Sequence, residues 1–224
     1  MGMTTFDADA GSGPGKNIWP ARGRTDAQLL EKAMRIQARM WWHISPEGLL
    51  VEMHRPRATP TQLSHDVLGM GDTAIWSGCY AASQACRWHV TRDPDALAQM
   101  RRLANGLRLL SDVTGVSGRL TRTVGRRIPG ERLSRKAVAS TAQSGLDFVP
   151  DVSRDQLAGV TLGWFLIWKY ADADPDLKAL AARQLTAIAV RLGQDKLWLR
   201  DWKGRKTEHG ELTTKIPSSP IGTN

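Results

Sequence analysis

The sequence lacks any hydrophobic run near the roughly 20 residues that span a bilayer. Its first stretch, MGMTTFDADAGSGPGKN, also lacks the apolar core of a secretory signal peptide. These two absences predict a chain without a membrane span, with a flexible N-terminal lead over residues 1–24 and a cytoplasmic location.

Cysteine is scarce, because only Cys79 and Cys86 are present. They stand on one predicted helix with about 10 Å of helix axis between them, which is too far for a disulfide. No Cys-x-x-Cys or histidine partner accompanies them, and the five histidines are scattered. We expect both thiols to be small core residues and no metal to be bound.

Signature motifs for nucleotide, zinc and serine-hydrolase chemistry are also missing. The chain contains no G-x-x-x-x-G-K-[ST], no G-x-G-x-x-G, no H-E-x-x-H and no G-x-S-x-G. The sequence therefore predicts no cofactor.

Acidic residues are in deficit, with 22 Asp and Glu against 31 Lys and Arg, a formal net charge of +9. The excess is dense between residues 116 and 137, where Gly and Pro predict a long solvated loop. Such a surface suits a polyanion, for example an acidic glycan, and without aromatic residues to stack on bases it does not favour nucleic acid. The basic residues of this segment are Arg119, Arg122, Arg126, Arg127, Arg132, Arg135 and Lys136.

Helical periodicity dominates the remaining sequence. A first helix is predicted over RTDAQLLEKAMRIQARMWWHI, with Thr25 and Gln28 at the spacing of a capping box. A second helix begins near Asp72 and runs to about His89. A third follows the TRDPDA break and ends at Gly115.

The same plan recurs downstream, in the stretch SRDQLAGVTLGWFLIWKYADADPDLKALAARQLTAIAVRLG. When the two copies are aligned on Pro94 and Pro175, Gly78 falls opposite Gly159, and Gly193 ends the last helix. In each pair the first helix is more uniformly apolar, which predicts an inner helix followed by an outer one. We predict an all-α fold of antiparallel helix hairpins over residues 25–202, with residues 203–224 as a tail or truncated continuation.

Three segments carry a resemblance to a known superfamily: GDTAIWSGCYAASQACRWHVTRDPDALAQMRRLANGLRLLSDVTGVSGRLTR, SRDQLAGVTLGWFLIWKYADADPDL and LWLRDWKGRKTEHGEL. They resemble bacterial proteins with a six-hairpin-glycosidase-like fold, an α/α toroid, and the similarity covers roughly residues 65–215. The resemblance implies inner helices that begin around one mouth, where carbohydrate-active members place acidic and aromatic residues. The chain supplies about half a ring, which would leave apolar faces uncovered. We therefore expect a homo-oligomer or a partner chain that completes the ring.

One candidate mouth lies in HDVLGMGDTAIWSGCY. Asp72, Trp76 and Tyr80 are spaced by four residues, which places them along one helix face. Asp72 suits either an N-cap or a ligand contact, and the two aromatic residues suit either core packing or a platform for sugar stacking. His65, just before this helix, would add a polar wall.

The second hairpin begins with Ser153 as a cap, followed by Arg154, Asp155 and Gln156 in the first helical turn. Two carboxylates that face one cleft are the minimum for glycoside hydrolysis, so Asp72 and Asp155 form the candidate acid and base pair. The predicted substrate-binding residues are Trp76, Tyr80, Arg154, Gln156, His65, and Arg119 and Arg122 reaching over the mouth toward an acidic group.

Two functions follow from these patterns. The first is a carbohydrate-active module, a hydrolase or lyase acting on an acidic glycan. Helix-start acids are common without catalysis, so the second is a non-catalytic structural or interaction protein that self-assembles or pairs with another chain.

Overall fold

The computed structural model describes residues 25–51, 53–56, 65–68, 71–130 and 133–212. The chain divides into two compact units, residues 1–39 and residues 40–224. In the first unit lies α1, Asp26–Gln37. The predicted capping box is confirmed, since the Thr25 amide donates to Gln28 Oε1 at 3.0 Å and the Gln28 amide donates to Thr25 Oγ1 at 3.3 Å.

The second unit carries two helix hairpins, as the repeated pattern predicts. The first is α2, Thr73–Thr91, with α3, Pro94–Asp112, and the second is α4, Arg154–Tyr170, with α5, Pro175–Gln194. α5 continues one residue past Gly193, which therefore does not end it. A 3₁₀ turn, Met40–His43, opens the unit where the sequence had predicted a continued helix.

Small antiparallel sheets accompany the helices, so the fold is mainly helical and the all-α prediction is correct only in part. The strand β1, Met53–Pro56, pairs with β2, His65–Leu68. A three-stranded sheet has the order β3, Thr123–Arg126, then β5, Leu146–Val149, then β4, Val138–Ala139. The last pair is β6, Trp198–Arg200, with β7, Lys206–Glu211, after the second hairpin.

Matching Asp-Pro pairs start the second helix of each hairpin. Asp93 accepts a hydrogen bond from the Asp95 amide at 2.9 Å, and Asp174 accepts one from the Leu177 amide at 3.0 Å. Pro94 and Pro175 occupy the first helical position, where a missing N–H costs nothing. The repeated sequence thus produces two turns of the same chemistry.

The helices α2 and α4 pack side by side and run in the same direction. Their starts meet, since the Gln156 side chain donates to the carbonyl of Gly71, and their ends meet, since His89 stacks on Tyr170. Between these ends Gly78 contacts Gly159: a Cβ at Gly78 would overlap the Gly159 carbonyl oxygen. The two glycines that the repeat aligns are therefore the contact that lets the backbones approach.

A buried core fills the space between the four long helices and the three-stranded sheet. Trp164 of α4 and Phe148 of β5 are its largest fully buried side chains. Truncating an aromatic side chain of this size in a core costs about 3–5 kcal/mol. Met100, Leu103 and Leu107 supply the apolar stripe of α3 that the sequence predicts.

Two expectations fail in this unit. The basic segment 116–137 is not a solvated loop throughout, because it buries Leu120, Thr121 and Val124 and forms β3. The cysteines are not core residues, because Cys79 is half-buried and Cys86 is exposed. Both lie on a helix side that the second unit leaves uncovered.

Candidate functional site

Arg122 joins the starts of α2 and α4. Its Nη1 donates to the Gly71 carbonyl at 2.8 Å, and its Nε donates to the Asp151 carbonyl at 2.7 Å. Its Nη2 lies 3.4 Å from the Ser153 hydroxyl. These acceptors belong to the loops that precede the two helices, so one guanidinium fixes both helix starts. The sequence had placed Arg122 over the mouth as a ligand-binding group, whereas the structure uses its donors within the chain.

Gln156 forms a second link between the starts of α2 and α4. It is fully buried, its Nε2 donates to the Gly71 carbonyl at 2.7 Å, and its Oε1 accepts from the Ser153 amide at 3.2 Å. The second bond belongs to the capping box of α4. Because both ends of the amide are used inside the fold, Gln156 is a positioning residue here and not a ligand contact.

The two predicted acids are at the same end of the helix pair. Asp72 occupies the N-cap position of α2 without a side-chain cap bond, and its Oδ1 lies 3.9 Å from Arg122 Nη1. About half of the Asp72 side chain is exposed. In Asp155, a hydrogen bond with the Ser153 side chain, backbone amides and the charge of Arg122 together lower the pKa of the carboxyl, although burial opposes them.

The aromatic pair is split by the helix. Trp76 is 51% exposed, whereas Tyr80 is buried at 8% and belongs to the core. Trp76 and Tyr80 are four residues apart, so Tyr80 lies about 40° further around the helix than Trp76, and this rotation turns its side chain into the core. Only Trp76 is placed where a sugar ring or a partner side chain could stack on it.

The remaining predicted contacts are dispersed. Arg119 does not reach the mouth, because it is buried and its Nη2 donates to Asp195 Oδ2 at 2.6 Å. Arg154 is exposed in the first turn of α4. His65 begins β2, and its side chain lies outside the described residues.

Much of the basic segment is paired with acids. Ion pairs connect Arg126 Nε with Glu47 Oε1 at 3.3 Å and Arg127 Nε with Asp147 Oδ1 at 2.7 Å. A longer one connects Lys136 Nζ with Asp151 Oδ2 at 3.6 Å, and Arg132 is outside the described residues. Because neighbouring carboxylates offset these charges, the segment presents less free positive charge to a polyanion than its composition indicates.

A second surface was only partly foreseen from the sequence. We call it the open face: the uncovered stripes of α2 and α4. At about 100° per residue, they lie opposite the buried sides of the two helices, which carry Trp88 and Trp164 into one core. Both stripes therefore point away from that core on the same side. The α2 stripe is Trp76, Cys79, Ser83, Cys86 and Val90, and the α4 stripe is Asp155, Ala158, Leu162, Phe165 and Lys169.

The open face exposes large apolar side chains. Val90 is 78% exposed, Leu162 45% and Phe165 44%, in addition to Trp76. Scattered apolar residues are normal on protein surfaces, but a contiguous apolar patch marks a site of interaction. The signal was present in the sequence as the nearly polar-free helix VTLGWFLIW, which one hairpin alone cannot bury.

Among the described residues, no group of three or more His, Cys, Asp or Glu is arranged to hold a metal ion. None of the helices in the described ranges combines the length and the apolar character that a bilayer crossing requires. The fold and the site together define a helical-hairpin protein in which α2 and α4 pack side by side in parallel. Comparison of the chain with protein-family models, curated proteins and solved structures finds no match.

Proposed function

We propose that this chain is an interaction protein that pairs with a second copy of itself through the open face. The observation that supports this function is the set of exposed apolar side chains on two adjacent helices that pack through Gly78 and Gly159: Trp76, Val90, Leu162 and Phe165. Full burial of a side chain of this type contributes about 1.5–3 kcal/mol, and because Trp76, Leu162 and Phe165 are already about half covered, each would contribute roughly half of that to a complex. The two-fold symmetry of a homodimer uses each of them twice.

Light scattering of the purified chain over a dilution series tests this proposal. We expect a dimer mass that falls toward the monomer mass on dilution. Leu162→Ser should raise the dissociation constant at least about tenfold, because each tenfold step corresponds to about 1.4 kcal/mol. Leu197→Ser is the matched control, since Leu197 is equally exposed at 48% but lies beyond α5. A monomer at all concentrations, or equal effects of the two variants, would contradict the proposal.

A glycan-binding surface at the helix starts is the second candidate. It is favoured by Asp72, which is half-exposed and makes no cap bond, and by the exposed Arg154 and Trp76 nearby on the helix pair. Carboxylates would accept hydrogen bonds from sugar hydroxyls, Trp76 would stack on the apolar side of a sugar ring, and Arg154 would pair with an acidic substituent. The resemblance to α/α toroids, which stays a prediction, points to the same end of the helices.

Catalysis would place different demands on the two acids. A glycoside hydrolase needs one carboxyl that carries a proton near neutral pH and one that is ionised. The lowered pKa of Asp155 keeps it ionised, so it would be the base or nucleophile and Asp72 would have to be the acid.

The two candidates compete for Trp76 and can be separated by one titration. An acidic oligosaccharide added to the chain should shift a dimer toward monomer if the glycan covers Trp76. Asp72→Asn should then weaken glycan binding and leave the dimer mass unchanged. Absence of binding across neutral and acidic oligosaccharides would remove the glycan candidate and leave self-association untouched.

A further inference from the structure

The α2 stripe of the open face has the spacing of a coiled-coil seam. Its positions 76, 79, 83, 86 and 90 alternate steps of three and four residues, which keeps them on one side of a helix over several turns. Trp76 and Val90 at its ends are 51% and 78% exposed. Seams of this kind are buried by a second helix.

The spacing of this seam is nearly symmetric about its central residue. Around Ser83 at its centre, Trp76 and Val90 are equally distant, and Cys79 and Cys86 are equally distant to within one residue. An antiparallel copy of α2 therefore brings Trp76 against the partner's Val90 and Cys79 against the partner's Cys86. Large residues face small or branched ones, as packing into a common layer requires.

The α4 stripe has the same symmetry and adds charge. Around Leu162, Asp155 at one end and Lys169 at the other are equally distant, and Ala158 mirrors Phe165 to within one residue. An antiparallel copy therefore brings Asp155 beside the partner's Lys169, at both ends of the interface. The pairing of acid with base occurs only when the second chain runs in the opposite direction.

The helix dipoles favour the same orientation. Within one chain α2 and α4 are parallel, so their positive N-terminal ends lie together and their negative C-terminal ends lie together. A second pair in the opposite direction brings unlike ends together. The centres Ser83 and Leu162 differ by two residues, about 3 Å, when the helices are aligned on Gly78 and Gly159, an offset that a modest crossing angle absorbs.

We infer that two copies of this chain dock their open faces as an antiparallel, two-fold symmetric pair centred on Ser83 and Leu162. The inference rests on the proposed self-association and adds its partner orientation and register. The open face carries both the acid, Asp155, and the base, Lys169, that the pairing requires. A second copy of the chain is therefore the partner that fits this face.

The two native cysteines report this register directly. Mild oxidation with diamide joins two thiols as a disulfide and reduces the diamide to its hydrazine, but only where the Cα atoms are about 4–7 Å apart. Cys79 and the partner's Cys86 meet this condition in the antiparallel pair, whereas two copies of Cys86 would be about 9 Å apart along the axis. We expect the unmodified full-length chain to form a covalent dimer.

Single variants separate this register from other arrangements. Cys79→Ser and Cys86→Ser should each lose the covalent dimer, and an equimolar mixture of the two variants should regain it, because one chain then supplies each thiol. Random collision of exposed thiols would let Cys79→Ser form a Cys86 disulfide, whereas a parallel pairing would set α2 against the partner's α4 and give no disulfide in the unmodified chain. Either result, or a mixture that fails to recover the product, would overturn the register.

Two further measurements keep the outcomes distinct. Asp155→Lys should raise the dissociation constant of the dimer about three- to tenfold, and adding Lys169→Asp in the same chain should restore it. If light scattering finds a dimer and the charge exchange does not restore affinity, the orientation is wrong while self-association holds. If no dimer forms at any concentration, the proposed function and this inference fail together.

Discussion

An arginine joins the two helices at each end of the parallel pair, but the groups that accept its hydrogen bonds differ between the two ends. At the C-terminal end Arg92 binds both oxygens of Asp172 at 2.7 Å, and Trp88 Nε1 donates to the same carboxylate at 2.8 Å. At the N-terminal end Arg122 binds two backbone carbonyls and a hydroxyl. The C-terminal end therefore uses its carboxylate to hold the fold, whereas the N-terminal end is held without one.

This difference explains why the N-terminal end is the candidate site. Its two acids remain at the surface near a fixed positive charge, and the fold does not need either of them to close. Side chains are available for binding where other residues already hold the backbone in place. Four substitutions test the comparison. They change the glycine contact between the two ends, the arginine contacts at the N-terminal end, the carboxylate at the C-terminal end, and finally Asp72.

The largest effect should come from the glycine contact that holds both ends in register. Gly78→Ala would push a methyl group into the Gly159 carbonyl, and overpacking against a backbone atom should cost at least about 3 kcal/mol of the free energy of unfolding. Gly193→Ala is the matched control, because it has open space in α5 and should stabilise by about 0.5–1 kcal/mol. Urea denaturation measures both changes. Equal values for the two variants would show that the helices are not closely packed at Gly78.

The N-terminal tie should have the next largest effect. Arg122→Met keeps much of the apolar stem but leaves the Gly71 and Asp151 carbonyls without this donor, which should cost about 2–4 kcal/mol. Urea denaturation of the variant and of Arg122→Lys gives the comparison. Lysine cannot reach three acceptors in a plane, so it should recover only part of the loss. Full recovery by lysine would mean that charge alone holds this end.

The C-terminal tie should be visible in the pH dependence of stability. Arg92, followed by Trp88, lowers the pKa of Asp172 from 3.8 to about 2. A carboxyl whose pKa is lower in the folded chain stabilises it above the unfolded value, and that contribution is lost as the pH falls through about 2. The difference in Tm between the unmodified chain and Asp172→Asn should be constant above about pH 5 and shrink between pH 4 and 2. A constant difference over that range would contradict the tie.

The smallest effect is expected for Asp72, whose ion pair with Arg122 is long at 3.9 Å. Asp72→Asn removes a charge that makes no cap bond and should change the free energy of unfolding by less than about 0.5 kcal/mol. Chemical denaturation beside the Arg122 variants provides the scale. A loss above about 1 kcal/mol would mean that Asp72 is a structural cap and would remove the contrast between the ends.

The hairpins were predictable because their signals are local. Asp-Pro turns, the Thr25 capping box and the periodicity of α3 depend on a few neighbouring residues. The alignment of Gly78 with Gly159 marked equivalent positions of the two hairpins, and the structure adds that these two residues contact each other. A repeat carries this long-range information, because equivalent positions of equivalent helices meet.

What the sequence did not predict depends on contacts between distant segments. Arg119 was predicted to reach over the mouth, but it pairs with Asp195, which follows α5 and lies beyond any local pattern. Gln156 looked like a site residue, and its burial depends on Gly71, which precedes the other hairpin. The grouping of Asp72 with Asp155 followed from the inner-helix pattern, whereas the loss of Tyr80 to the core required the packed structure.

The glycine contact also has a consequence for how the chain folds. Each hairpin closes over a turn of a few residues, so α2 with α3 can form as soon as both have left the ribosome. Gly78, however, must wait for Gly159, which is synthesised much later. During that interval the side of α2 that will meet α4 is open to water and to other nascent chains. The length of the intervening segment therefore sets a window in which chaperone binding or mispairing of α2 can compete with native assembly.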